Sequence, residues 1–245
     1  MKQGVILLLL LTSIAGFSQS NKTALTKHFE AYYLQMKKQG DVRGVINALT
    51  HLNVLEPSEA RKDTLGFFYS NSGQHVQAIN LLGTEKDSKA SDLAVEVKAR
   101  SLKALNQPQL AVQQFDIMFG RKPDIYVAYD LADLNLQIGK TVEATTYIKY
   151  GLENTSDEDM LPFYESNPPY QVPLKAAFKY QEGLLKYNED KNNIDAAVTK
   201  IDEAILIAPN FTLAKHIRQL LLNQKEAGAA GNITPRPNVP ASEEN

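Results

Sequence analysis

Gly40, Gly73, Asn106 and Gly139 follow one another at intervals of 33 residues, and no other feature of the chain restricts its fold so tightly. A period of about 20 to 50 residues marks an array of stacked structural units, each too small to bury an apolar face alone. The recurring residue says what joins the parts of a unit. Glycine enters the left-handed backbone region freely and asparagine is the next most tolerant, so their return at equivalent places points to a tight corner. Helical spacing surrounds it: Leu65, Phe68 and Tyr69 precede Gly73, and Val76, Ile79 and Leu82 follow. Two short amphipathic helices joined by one turn are expected in each unit.

Other positions keep the same register. Seven residues before the corner stand Tyr33, Gly66, Ala99 and Ala132, and five after it Val45, Ala78, Ala111 and Ala144. Small side chains at both places let two helices approach closely. Nine after the corner the residue is always large and apolar (Leu49, Leu82, Phe115, Ile148), and Pro57 and Pro123 stand at unit boundaries, where they stop a helix.

Taken together, these positions resemble the tetratricopeptide repeat (TPR). The second unit matches best, with Leu65-Gly66, Tyr69, Gly73 and Ala78; the fourth supplies Leu131-Ala132, Gly139 and Glu143-Ala144. The first departs at Tyr33 and Val45, as a terminal repeat can. A fifth unit carries Gly183 and Tyr187 in its first helix, then Ala197, Ile201, Ala204 and Pro209-Asn210. Beyond it, Leu213, Ile217, Leu220 and Leu221 form one apolar stripe suited to a capping helix. The resemblance implies an all-α fold: a right-handed superhelical α-solenoid of about five TPR-like repeats plus that cap. Repeats one to four would occupy residues 24–156, and the fifth with its cap 174–225.

Residues 157–173 interrupt the array with an acidic trio (Asp157, Glu158, Asp159), three aromatics (Phe163, Tyr164, Tyr170) and four prolines. An irregular loop of this length is expected, and its aromatics argue that it packs on something. The trio lacks the alternating oxygen ligands of a calcium loop. The tail, 226–245, is rich in Gly, Ala, Pro and Asn and is expected to be disordered.

At the N-terminus, Lys2, an apolar run from Val5 to Leu11, and then Thr12, Ser13, Ala15, Gly16 and Ser18 read as a signal peptide over 1–18. The run is too short for a membrane-spanning helix. Absence of cysteine removes a lipid-modified cysteine, disulfides and thiolate metal sites. A periplasmic or secreted bacterial protein is therefore expected.

With a net charge of −2 the chain has no electrostatic footprint for nucleic acid. Its four histidines (His28, His51, His75, His216) are scattered, and no phosphate-binding glycine loop, Gly-x-Ser-x-Gly elbow or His-Glu-x-x-His motif occurs. No catalytic residues, metal or cofactor are expected. The resemblance places the first helix of each unit on a concave groove, whose contact residues would be Glu30, Asp63, Phe67, Arg100, Tyr126, Tyr129, Asp133 and Tyr180. In family members that clamp a peptide carboxylate the matching places are basic or amide; here Glu30, Asp63 and Glu96 have the wrong sign for that. Large aromatics nevertheless suit anchoring contacts. A non-enzymatic scaffold or adaptor that binds a protein or extended peptide is the leading expectation. The alternative is a small-ligand or glycan receptor in which Tyr126, Tyr129, Tyr180 and the Tyr164/Tyr170 loop line one dominant pocket.

Overall fold

A computed structural model describes residues 21–227 in full, and for 2–20 and 228–231 the helical backbone alone. The expected signal peptide is thus described from residue 2 as backbone alone, and the expected tail from residue 232 lies outside the described residues. Among the described residues the fold is all-α apart from one small β-hairpin, and it divides into two compact units, 1–122 and 123–245.

The first unit holds three helical hairpins: α1 (Lys2–Gln39) with α2 (Val42–Leu55), α3 (Glu59–Asn71) with α4 (His75–Leu82), and α5 (Asp92–Ala104) with α6 (Pro108–Arg121). Neighbouring hairpins pack through α2 on α3 and through α5 on both α3 and α4. In the second unit α7 (Ile125–Gln137) pairs with α8 (Thr141–Asn154), and α9 (Leu174–Glu189) with α10 (Ile194–Ile207). There α9 packs on α7 and α8, and α11 (Thr212–Gly231) covers α10. Glu226 and Ala227, the first residues of the expected tail, still belong to α11.

All four recurring corner residues are left-handed, with φ of 72° at Gly40, 73° at Gly73, 54° at Asn106 and 74° at Gly139. Each corner closes with the same two backbone hydrogen bonds. At Gly73, its own N–H donates to the Ser70 carbonyl (3.0 Å) and that of Gln74 to the Tyr69 carbonyl (2.9 Å). Gly40/Asp41, Asn106/Gln107 and Gly139/Lys140 repeat the pattern. This is the Schellman arrangement, which satisfies carbonyls that a helix end leaves open. A Cβ at Gly40, Gly73 or Gly139 would meet nothing within 4 Å, so the demand for glycine comes from the backbone alone.

The small residues do what close helix packing requires: Ala78, Ala99, Ala111, Ala132 and Ala144 are all wholly buried. The fifth hairpin turns differently. Between α9 and α10, Asp190 accepts from the Asn192 N–H (2.9 Å) and Asn193 caps α10 by accepting from Ala196, with no left-handed residue among those described. Short polar side chains that bond their own backbone replace the glycine corner. The 33-residue interval stops at Gly139 because the inserted residues 157–173 carry this turn well past position 172.

Residues 157–173 depart from the expected irregular loop. Met160–Phe163 (β1) and Tyr170–Pro173 (β2) pair antiparallel, with Phe163 opposite Tyr170. Alternation puts Phe163 and Val172 inside while Pro162 and Gln171 face out. No helix among the described residues is long and apolar enough to cross a membrane.

Candidate functional site

The expected groove residues divide between the two units, and each group has its own environment. In the first unit, Glu30 and Arg100 are exposed. Arg100 is drawn to its own helix neighbour Glu96 at 2.8 Å, a solvent-facing pair worth at most about 1 kcal/mol. Phe67 is 37% exposed and meets Phe68 edge-on. Asp63, by contrast, is 8% exposed, and its Oδ2 accepts the Ser91 hydroxyl at 2.6 Å. An open groove contact was expected of it; the structure makes it a buried carboxylate joining α3 to the start of α5.

The α4–α5 connection causes that burial. Gly83, at φ 79°, turns the chain out of α4, and residues 84–91 fold back over α5 and α6. Three donors hold their carbonyls. Lys98 Nζ reaches Glu85 O at 2.7 Å, Gln114 Nε2 reaches Thr84 O and Glu85 O at 3.1 and 3.2 Å, and Arg121 Nη2 reaches Ser88 O and Ala90 O at 2.9 and 2.7 Å. Lys98 is only 4% exposed, and burial lowers its pKa against the opposing pull of Asp87 and Glu85. Beneath the connection lies a cleft of about 520 Å³ lined by side chains that include Lys62, Asp63, Asp87, Lys89, Ser91 and Lys98. Lys98, Gln114 and Arg121 are invisible to periodicity, because what they engage is a loop rather than a facing helix.

In the second unit, Tyr126 is 41% exposed at the start of α7, and its hydroxyl donates to the Met160 carbonyl of β1 at 3.4 Å. Three residues on, the Tyr129 ring meets Phe178 of α9 edge-on at 5.7 Å. Burial first, then Asp133 and Tyr180, raise the Tyr129 pKa well above its ordinary value. Asp133 is half-buried one turn further along α7 and accepts from Gln137 at 2.9 Å.

Tyr180 is a second correction, being 7% exposed with its ring 5.3 Å from Phe211 at the head of α11. Burial, and then Asp133 and Glu165, raise its pKa. As a neutral hydroxyl on a core ring it supports the site from below rather than touching a partner. Phe211 also packs on Phe163 (4.8 Å) and Tyr170 (6.5 Å), and the Leu213 N–H donates to the Tyr170 hydroxyl at 3.1 Å. The inner aromatics of the β-hairpin are thus used in packing on α9 and α11.

What stays outside is Tyr126, Met160 (36% exposed) and Tyr164 (76% exposed), with the Tyr126 hydroxyl bonded to the Met160 backbone as above. Met160 was not among the expected contacts. Its signal lay in the alternation of Met160 to Phe163, hidden by the adjacent prolines.

No protein-family model matches the chain, nor does any curated protein. Among solved structures, a tetratricopeptide repeat protein from Parabacteroides merdae ATCC 43184 is similar to it, with a TM-score of 0.60, 15% identity, and coverage of 84% of this chain and 76% of that one. At that identity the likeness is one of fold: the stacked hairpins form a TPR-like, all-α solenoid.

Proposed function

We propose that this chain is a non-enzymatic scaffold, exported to the periplasm or cell exterior, that holds a protein or extended peptide against the second unit. The observation that carries the reading is the exposed Tyr126–Met160–Tyr164 set. Tyrosine and methionine are enriched at protein interfaces, and tyrosine offers large contact area with few rotatable bonds to immobilise. Packing of Phe163 and Tyr170 on Phe211 holds the β-hairpin that carries Met160 and leads to Tyr164, so little ordering cost would fall on binding there. A TPR-like fold, which presents surface on successive helices, supports the same reading. On the sequence side, the signal-peptide pattern expected over 1–18 supports export.

Affinity capture tests this reading with native and Tyr126→Ala/Tyr164→Ala baits, each expressed with its leader and isolated from the extracytoplasmic fraction. Both side chains are exposed, so the double variant should melt with the native protein. Loss of two anchoring contacts should cut partner recovery by about 30-fold or more. Equal recovery with both baits would remove this surface from the account, and a bait found wholly in the cytoplasm would remove export.

A further inference from the structure

The first unit contains a feature that scaffolding does not use. Two oppositely charged side chains, Asp63 on α3 and Lys98 on α5, are both more than nine-tenths buried, and both line the cleft under the α4–α5 connection. Neither has its bonding capacity filled by the protein. An ammonium has three N–H donors, and Lys98 gives one to Glu85 O; a carboxylate has two oxygens, and Asp63 receives the Ser91 hydroxyl on one. Among the described residues the two form no ion pair with each other. A molecule that completed both would add charge-assisted bonds to two largely buried charges.

The rest of the wall sorts by charge in the same balanced way. Glu59 and Asp87 stand with Asp63, and Lys62 and Lys89 with Lys98, while Ala60, Leu82, Ala90 and Ala94 supply apolar surface. A nucleotide, sugar phosphate or other polyanion would meet three carboxylates, and a polyamine three ammonium groups. The lining suits a ligand that carries one charge of each sign, and about 520 Å³ lies within the size range of small-molecule sites.

We propose that this cleft binds a small zwitterion of the α-amino-acid class, its carboxylate on Lys98 Nζ and its ammonium on the free oxygen of Asp63. Leu82 and Ala94 would face the ligand's side chain, and Lys62 and Lys89 would add to the field on the carboxylate. The site belongs to the first unit and is independent of the Tyr126–Met160–Tyr164 surface, so either proposal can fail alone.

The test is ligand-observed NMR on the whole chain with the common L-α-amino acids, each up to about 5 mM, the weak end of useful small-molecule affinity. At least one should bind saturably. Its N-acetyl derivative, which lacks the ammonium, and its carboxamide, which lacks the carboxylate, should each bind at least about tenfold more weakly, as expected for loss of a buried charge-assisted bond. Asp63→Asn keeps an acceptor for Ser91 and should reproduce the N-acetyl loss; Lys98→Met should reproduce the carboxamide loss. Should Lys98→Met melt early because Glu85 loses its donor, Lys89→Gln at the exposed edge reads the same effect at smaller amplitude. No binding by any amino acid, binding unchanged in Asp63→Asn, or loss with the carboxamide but not the N-acetyl derivative would each overturn the proposal, the last by reducing the site to anion binding.

Discussion

Phe178→Ala is expected to lower the unfolding free energy by about 3–5 kcal/mol, the range for removing a large aromatic from a core that cannot collapse around the gap. Phe178 is wholly buried where three helices of the second unit meet. Tyr129 of α7 packs on its edge, and Gly151 of α8 lies directly against its ring. A Cβ built on Gly151 would sit 2.0 Å from the ring tip, far inside contact distance. The converse substitution therefore tests the same joint. Gly151→Ala should gain about 1 kcal/mol in helix propensity, yet lose about 1–3 kcal/mol from overpacking, and the loss should prevail because a fully buried ring has nowhere to go. Adding Phe178→Leu to Gly151→Ala should return part of that loss. Denaturant unfolding of the two single variants and the double variant checks the cycle; purely additive effects would show that the ring and the glycine do not oppose each other.

Phe211→Ala should cost a similar amount, about 3–5 kcal/mol, with a second consequence that Phe178→Ala lacks. Phe211 is the common neighbour of Phe163, Tyr170 and Tyr180, so it fastens the β-hairpin to α9. Asn210, beside it, donates to the Gln171 carbonyl at 3.0 Å. Its loss should raise amide exchange at Leu161 and Val172 more than in α10, because the β-hairpin has only two strands and no core of its own. Uniform acceleration across the second unit would show instead that the β-hairpin and the helices unfold together.

The sequence was informative wherever one local conformation recurs. Four left-handed corners, each with the same pair of backbone bonds, are an intrinsic property of Gly and Asn, so their spacing alone revealed the hairpins. Small residues at fixed offsets were legible for the same reason. The β-hairpin was not, because each strand is only four residues long and Pro162 and Pro173 obscure the alternation. Two expected groove residues were misjudged on grounds no local pattern could supply. Tyr180 is buried by Phe211, 31 positions away, and Asp63 is buried where Ser91, 28 positions away, meets it. Lys98 went unnoticed because a charged residue among apolar neighbours reads as an outward position until a loop is seen to cover it. Helical phase identifies which residues share a face, whereas what covers that face depends on connections between repeats.

The corner backbone is the premise on which the helical hairpins and every surface placed on them depend. It is tested most directly by replacing exposed Gly73 with alanine of each hand through semisynthesis. Gly73→Ala made with L-alanine should lose about 1–2 kcal/mol, since an L residue at φ 73° is strained even though nothing crowds its Cβ. Made with D-alanine, whose preferred backbone is the mirror image, the protein should match or exceed the native melting temperature. Equal stability of the two alanine forms, or a D-alanine form less stable than the L-alanine form, would contradict the account.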